Sequence, residues 1–288
     1  MAATRALGDL IDLEKYPLHQ PGSVDYQSSV AVARDQLRAD GCAVVNDLVH
    51  PQGVALLNEE ILSQKHTTHF SDQVMNPYFH FDHNPEFPAD HPINTFIERS
   101  SGFIPGDSWD PGGPMTQIFR APEMVAFVAA CLEAPSLYCY DDPLAGLTSN
   151  ILDPGQLFTW HFDTNDFAVT VLVQQADKGG LFEYVPAIRN ASDEGFERIS
   201  KVLGGGRHGV KTLDLRPGDM QIFRGRYSLH QVSRVSAESC PRHAAIFAYT
   251  ENPGVIGRVE RTMQLFGRVL PDHLAAEKAR VRSDDLVD

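Results

Sequence analysis

The sequence has few cysteines and no paired-cysteine motif. Its four cysteines are Cys42, Cys131, Cys139 and Cys240, and none of them forms a C-x-x-C pair. Disulfide scaffolds and zinc ribbons need such pairs or an oxidising compartment, so this pattern predicts free thiols in a reducing one. The first fifteen residues also lack the basic stretch and apolar run of a secretory signal. We therefore expect a cytoplasmic protein.

Long apolar runs and excess positive charge are missing as well. No stretch approaches the roughly 18 consecutive apolar residues of a membrane-spanning helix, so no membrane association is expected. The chain has 24 Lys and Arg against 38 Asp and Glu, a net charge of -14. Phosphate binding depends mainly on Lys and Arg, so nucleic acid is an unfavoured partner. A small-molecule substrate fits this balance better, and the sequence leaves the oligomeric state open.

The N-terminal half of the chain is predicted to be helical and rich in loops. With 288 residues, of which 42% are hydrophobic, the chain can bury the core of one large domain. Residues 1–135 are interpreted as an extension of that domain. Residues 63–115 are rich in Pro, Gly, Asn, Asp, His and aromatic residues, which is typical of long loops with short ordered pieces. Apolar periodicity and Pro or Gly punctuation predict three helices and one strand: 26–39, 54–62, 122–133 and the strand 42–45.

The pattern changes to short strands after residue 135. About eight strand-like runs follow at close spacing in residues 136–250, and Phe167–Gln174 is strongly β-branched. This arrangement predicts a mainly β fold with N-terminal helices, an α+β chain built on a double-stranded β-helix, or jelly roll. Residues 251–288 are interpreted as a C-terminal tail with a surface helix over 271–282.

One strand-like run contains a His and an Asp two residues apart, Trp160-His161-Phe162-Asp163. Side chains alternate along a strand, so His161 and Asp163 are expected to point the same way. His230, on a later strand, is the candidate third ligand. Two imidazoles and one carboxylate on one face of a metal ion are typical of non-haem Fe(II) oxygenases.

Such a site leaves open positions for a bidentate 2-oxoacid and for dioxygen. The far carboxylate of the 2-oxoacid needs a cation, and the planar fork of arginine suits it. Arg242 begins the last strong strand, and a turn over residues 237–241 is predicted to fold that strand back beside the one holding His230. Arg234 is the competing candidate, at even spacing from His230.

These pieces together resemble the Fe(II)/2-oxoglutarate-dependent dioxygenases. The resemblance rests on Trp160-His161-Phe162-Asp163, Pro217-Gly218-Asp219, Leu229-His230-Gln231-Val232 and Arg242 before an apolar strand, and it covers roughly residues 147–250. It implies that His161, Asp163 and His230 hold Fe(II), with 2-oxoglutarate and O2 as co-substrates. The stretch Gly179-Gly180-Leu181-Phe182-Glu183-Tyr184-Val185-Pro186 is most similar to BesD/HalD-type enzymes, which implies a free amino acid or derivative as substrate.

The chain departs from its relatives at two positions. The halogenases of that group have a small residue where this chain has Asp163, which leaves an iron position for chloride. The retained carboxylate therefore implies hydroxylation, or desaturation or cyclisation, instead of halogenation. Many relatives also have Ser two residues after the Arg, where this chain has Ala244. Asn150 or a tyrosine is then expected to complete the 2-oxoglutarate site.

Other residues could take part in the site or have purely structural roles. His80-Phe81-Asp82 repeats the His-x-Asp pattern in a Pro-rich loop, and His66 and His69 would share one face of a helix, which could indicate zinc. Candidate substrate contacts are Asn165 and Asp166, which could instead cap a turn, and Arg99 and Arg120, which could instead form structural contacts.

Two other functions fit the same fold. One is a cupin-like metal enzyme that does not use 2-oxoglutarate. The other is a non-catalytic binding module on a jelly roll, against which the complete ligand set and the arginine argue.

Overall fold

Thirteen antiparallel strands form three sheets in residues 6–279, which are the residues that the computed structural model describes. The strands are β1 (Cys42–Val45), β2 (His69–Met75), β3 (Ile97–Ile104), β4 (Tyr138–Cys139), β5 (Leu147–Leu152), β6 (Phe158–His161), β7 (Ala168–Gln174), β8 (Phe182–Val185), β9 (Lys211–Leu213), β10 (Met220–Phe223), β11 (Leu229–Val232), β12 (Arg242–Phe247) and β13 (Tyr249–Thr250).

Two of the sheets face each other as a jelly roll, which confirms the predicted fold. The large sheet has the order β1-β10-β7-β12-β5-β3-β2, and the small sheet has the order β6-β11-β8-β9. Strands β4 and β13 form a separate pair. Strands distant in sequence lie side by side in both sheets. Residues from distant parts of the chain therefore line the space between the two sheets.

The first four of the described helices cover the outer face of the large sheet. The helices are α1 (Val24–Asp40), α2 (Pro51–Gln64), α3 (Pro114–Arg120), α4 (Pro122–Leu132), α5 (Phe196–Leu203), α6 (Val259–Phe266) and α7 (Pro271–Ala279). Helix α1 begins where Ser23 accepts a hydrogen bond from the backbone N–H of Tyr26, a common N-cap. Helices α2 and α4 begin with Pro in the first turn. The predicted end of the last helix, residues 280–282, lies outside the described residues.

Strand alternation gives the large sheet two different faces. Val169, Val171 and Val173 of β7 are buried in one apolar core with α1 to α4. Ala168 and Thr170 alternate with them and line a cavity between the two sheets. Since successive side chains of a strand point to opposite faces, the same short strands supply both the core and the cavity wall.

The segment 63–115 contains more regular structure than the predicted long loops with short ordered pieces, because two strands of seven and eight residues run through it. Strand β2 pairs with β3 from His69 opposite Phe103 to Met75 opposite Ile97, and β3 pairs in turn with β5. The backbone hydrogen bonds offered by the sheet edge outweigh a weak local pattern. The pairing also separates His66, in a short 3-10 turn, from His69 on β2, so they do not share a helix face.

The C-terminal segment is tied to the jelly roll by a buried carboxylate. Asp142 accepts a hydrogen bond from the backbone N–H of Gly257 at 2.7 Å, and its Oδ2 lies 3.0 Å from Nε2 of His273. Nδ1 of His273 accepts the Leu270 N–H, so Nε2 holds the ring proton and donates to Asp142. This contact anchors the segment that contains α6 and α7 across the end of the barrel.

Among the described helices, none is by itself long and apolar enough to cross a membrane, and only α3 and α4 taken together reach that length, with a 51° bend between them.

Candidate metal centre and cavity

Two histidines face each other across paired strands of the small sheet. His161 on β6 lies directly opposite His230 on β11, and the two ring centroids are 4.0 Å apart. Both side chains are buried and line the cavity between the sheets. Residues in register on an antiparallel pair project from the same face, which explains how ligands 69 residues apart in sequence meet.

Backbone carbonyls orient both imidazoles. Nδ1 of His161 lies 2.7 Å from the carbonyl oxygen of Thr159, and Nδ1 of His230 lies 2.9 Å from that of Ser228. A carbonyl only accepts, so each Nδ1 holds the ring proton, and each Nε2 presents a lone pair. Burial, with His230 as a second cause, lowers the pKa of His161 well below its usual value. A neutral imidazole of this tautomer is the form that binds a metal ion.

Asp163 completes the group from a loop. Strand β6 ends at His161, so strand alternation does not by itself explain the direction of Asp163. Its Oδ1 nevertheless lies 3.9 Å from Nε2 of His161 and 3.5 Å from Nε2 of His230. Within residues 6–279 these three are the one group of histidine, cysteine or acidic side chains spaced to hold a metal ion, with ligand atoms within 4.8 Å of one another.

Neighbouring residues hold the loop that contains Asp163. The Phe162 ring stacks on Tyr78 at 5.6 Å, and the guanidinium carbon of Arg189 lies 3.9 Å from the Phe162 ring centroid. The backbone N–H of Phe162 donates to the carbonyl of Pro77, and that of Asp163 donates to Gly225. The Asp163 carboxylate is therefore positioned by the packing of the preceding residue, Phe162, and by the backbone hydrogen bond from Asp163 to Gly225.

Gly225 leaves the space that Asp163 occupies. A Cβ atom at position 225 would lie 1.8 Å from Oδ2 and 3.0 Å from Cβ of Asp163, so Gly225→Ala must displace the whole carboxylate. We expect the affinity for a divalent metal to fall by about 10- to 100-fold, as for other losses of ligand support. Metal titration of the folded protein measures this. Gly22→Ala, where a Cβ meets nothing within 4 Å, is the matched control, and equal affinities of the two variants would contradict the proposed steric role.

Arg242 faces the metal group from the opposite sheet. Strand β12 pairs with β5 and β7, whereas the strand of His230 pairs with β6 and β8. The prediction that these two strands lie side by side was therefore wrong, although both residues line the same cavity. The twelve residues from His230 to Arg242 are compatible with a return to the same sheet or with a crossing to the facing sheet. In the structure the chain crosses from the small sheet to the large one.

The guanidinium of Arg242 is a buried cation without a protein partner. It is 6% exposed, and burial lowers its pKa to about 10, so it stays charged at neutral pH. No hydrogen bond or ion pair joins it to another residue in the described part of the chain. Arg234, the competing candidate, is half-exposed and forms an ion pair with Glu98 at 2.8 Å.

Two further candidates line the wall beside Arg242. Asn150 is buried on β5, opposite Ala244 of β12, and its side-chain amide donates to the carbonyl of Gly102 at 3.3 Å. Tyr140 also lines the cavity. The volume of the cavity is about 180 Å³, which is room for on the order of ten waters and suits small-molecule ligands.

The structure separates the four candidate substrate residues. Asn165 lines the cavity. Asp166 is exposed and lies 3.7 Å from Nε of Arg226, and Arg120 is exposed at the end of α3. Neither of these two is part of the cavity wall, so their positions do not support the predicted contact. Arg99 is buried, and its guanidinium carbon lies 4.4 Å from the ring centroid of Phe158, a residue of the cavity wall.

The second His-x-Asp pair lies away from the metal group. Asp82 is exposed, and His80 lines a separate small pocket beside Phe79. Their positions agree with the preference for His161 and Asp163.

Helix α6 supplies a wall of the cavity that the sequence interpretation missed. Arg258, Arg261 and Phe266 line the cavity, although residues 251–288 were interpreted as a tail. Arg258, the N-cap residue of α6, and Arg261, in its first turn, are three residues apart, a spacing that puts two side chains on one side of a helix. That spacing was the available signal.

Comparisons with known proteins agree with this geometry. The sequence profile of a family described as halogenase D matches residues 110–255, half of the chain. No curated protein matched. Among solved structures, a 2OG-Fe(II) oxygenase family protein from Burkholderia pseudomallei has a TM-score of 0.50 at 11% identity, covering 77% of this chain and 91% of that one.

Two other solved structures share the fold. The non-heme alpha ketoglutarate dependent epimerase SnoN from nogalamycin biosynthesis has a TM-score of 0.51 at 13% identity, covering 78% of this chain and 83% of that one. AviO1 from Streptomyces viridochromogenes Tue57 has a TM-score of 0.50 at 15% identity, covering 78% and 96%. The profile match, the jelly roll and the His-Asp-His group lead to one conclusion: the chain belongs to the halogenase D family of Fe(II)- and 2-oxoglutarate-dependent oxygenases.

Proposed function

We propose that this oxygenase hydroxylates a small molecule, a free amino acid or a derivative of one. The observation that supports this reaction is Asp163. Its carboxylate oxygen lies within 4 Å of both histidine Nε2 atoms, where a halogenase of this family has a small residue. An iron position filled by a carboxylate is closed to a halide, so oxygen transfer is the expected outcome.

The three side chains at the centre suit Fe(II) in charge and in protonation. His161 and His230 would each offer Nε2, and Asp163 would offer a carboxylate oxygen. Their carbonyl partners, Thr159 and Ser228, hold the rings in the required tautomer. When bound, iron and 2-oxoglutarate together supply the oxidation by O2, with release of succinate and CO2.

Arg242 would bind the far carboxylate of 2-oxoglutarate. Its unpaired guanidinium lies in the cavity wall with Asn150, and a buried cation without a counter-charge is costly unless a ligand supplies one. Apolar side chains of the wall exclude water from the space between Arg242 and the metal group; among them are Phe158, Phe182 and Ile246. Asn165, in the loop after Asp163, would contact the substrate.

Substrate-dependent succinate release tests this function. The protein is supplied with Fe(II), 2-oxoglutarate, air and a panel of free amino acids. We expect succinate only with an accepted amino acid, together with a product heavier by one oxygen atom. A product that is two hydrogen atoms lighter than the substrate would show that the reaction is desaturation or cyclisation and not hydroxylation. No binding of 2-oxoglutarate, and no succinate with any candidate, would contradict the proposal.

A further inference from the structure

Two arginines lie beside Phe79 without an acidic partner. The guanidinium carbon of Arg261 is 3.3 Å from the Phe79 ring centroid, and that of Arg99 is 5.3 Å from it. Neither forms an ion pair with an acidic side chain in residues 6–279. The Nη1 of Arg261 donates to the amide oxygen of Gln264 at 3.3 Å, which is a neutral group. Burial lowers the pKa of Arg261 to about 9, and the negative charge of Asp163 opposes this shift.

Arg99 is the more deeply buried of the two. It is 1% exposed, and its Nε and Nη2 atoms have no hydrogen-bond partner. Its Nη1 meets only the sulfur of Met75, at 3.6 Å, which is a weak acceptor. Burial, followed by the nearby positive charge of Arg261, lowers the pKa of Arg99. An unpaired buried charge destabilises a fold, so this arrangement suits a bound anion better than an empty cavity.

The charges of the cavity wall are strongly unbalanced. Arg242 and Arg261 line it without an ion pair to any described residue, and Asp163 is the one acidic residue among the described residues of the wall. In the proposed function Asp163 is occupied by the metal and Arg242 by 2-oxoglutarate. The positive charge of Arg261, with Arg99 behind Phe158 and Phe79, is left for the substrate. The whole protein has a charge of -14, so this local excess is opposite in sign to the rest of the molecule.

We propose that the substrate is an acidic amino acid or a similar small dicarboxylate, with one carboxylate bound by Arg261 and drawn further by the field of Arg99. This rests on the proposed function, because it takes the cavity as the oxygenase site. A substrate with a cationic side chain would meet no acidic partner in the described wall except the metal-bound Asp163. Every free amino acid carries an α-carboxylate, so a preference for an acid over its amide depends on the side-chain carboxylate that Arg261 would bind. Two cations and no spare acid in the wall favour this second negative charge.

The test compares ligands of one shape and different charge. Protein loaded anaerobically with Fe(II) and saturating 2-oxoglutarate is titrated calorimetrically with L-glutamate, L-aspartate, L-glutamine, L-asparagine and L-lysine. We expect at least one acidic member to bind about 10-fold or more tightly than its amide, and lysine to bind more weakly than both. Higher salt should narrow the difference between acid and amide.

Variants identify the arginine responsible. Arg261→Gln should remove most of the preference for the acid over its amide and leave the affinity for 2-oxoglutarate unchanged. Arg234→Gln, at a half-exposed arginine paired with Glu98, is the control and should change neither quantity. Because Arg99 is buried, Arg99→Lys, which keeps the charge, is preferred to a neutral variant and should retain the preference for the acid.

The results can contradict the proposed substrate class without contradicting the proposed oxygenase function. If lysine or an amide binds as tightly as the acids, or if neither acid binds to protein that holds 2-oxoglutarate, the substrate class is wrong. Substrate-dependent succinate release with another amino acid would then leave the oxygenase assignment intact. If Arg261→Gln weakens 2-oxoglutarate binding instead, Arg261 belongs to the co-substrate site and the inference also fails.

Discussion

Asp163→Ala should weaken Fe(II) binding by at least about 100-fold and reduce substrate-dependent succinate release by at least as much. Asp163 is the single anionic member of the metal group, and without it two neutral imidazoles remain. The vacated position also becomes open to an added anion. We therefore expect chloride to strengthen iron binding by the variant and to have little effect on the unaltered protein. Anaerobic Fe(II) titration with and without chloride measures both effects.

Asp166→Ala is the matched control for this prediction. Asp166 is three residues further along the same loop, is exposed, and lies outside the cavity wall. Its removal changes the charge of the loop equally and should leave iron affinity unchanged. If Asp163→Ala keeps its full iron content without chloride, the metal-ligand assignment is wrong, and the inference that the carboxylate excludes a halide fails with it.

Arg242→Gln should raise the dissociation constant for 2-oxoglutarate by about 100-fold and leave iron binding unchanged. Losing a charge-assisted partner in a buried site costs about 2–5 kcal/mol, and each 1.4 kcal/mol is about a factor of ten. Arg242→Lys keeps the charge and loses the bidentate fork. Its dissociation constant for 2-oxoglutarate should therefore lie between those of the unaltered protein and Arg242→Gln. Calorimetric titration of the Fe(II)-loaded protein under anaerobic conditions gives these constants.

Arg234→Gln tests the competing anchor in the same experiment. Arg234 forms an ion pair with Glu98 on the surface, and its loss should leave the constant for 2-oxoglutarate unchanged. A large effect at position 234 with none at 242 would reverse the assignment.

The metal ligands could be predicted because short sequence motifs contain them. The run around His161 and the strand of His230 could be found because strand formers surround them, and the structure places them in register. Asp163 was expected beside His161 from strand alternation. The structure brings it there through a loop, held by Phe162 packing and the contact with Gly225. The proximity was therefore predicted, and its local cause was not.

The unpredicted part depends on long-range pairing. Strands β2 and β3 are stabilised by an edge of the large sheet that forms from distant sequence, so their own composition indicates loops. Strand β12 could pair with strands of either sheet, and it pairs with β5 and β7 of the large one. The sequence distance between His230 and Arg242 does not indicate which pairing is more stable. Helix α6 is only eight residues long and depends on contacts with the barrel, including the anchor of its segment at Asp142.

The missing Cβ of Gly225 also limits which residue can stand at position 225 beside an aspartate at position 163 in this chain. A carboxylate at position 163 is compatible only with a residue at 225 that has no side chain, because even a methyl group there reaches within 1.8 Å of its oxygen. A halogenase with a larger residue at the position corresponding to 225 would have to change that residue to glycine before it gained the aspartate. The reverse order passes through an intermediate with a displaced ligand. The two positions, 62 residues apart in sequence, should therefore be altered together when the aspartate is engineered into a relative with a larger residue at the second position.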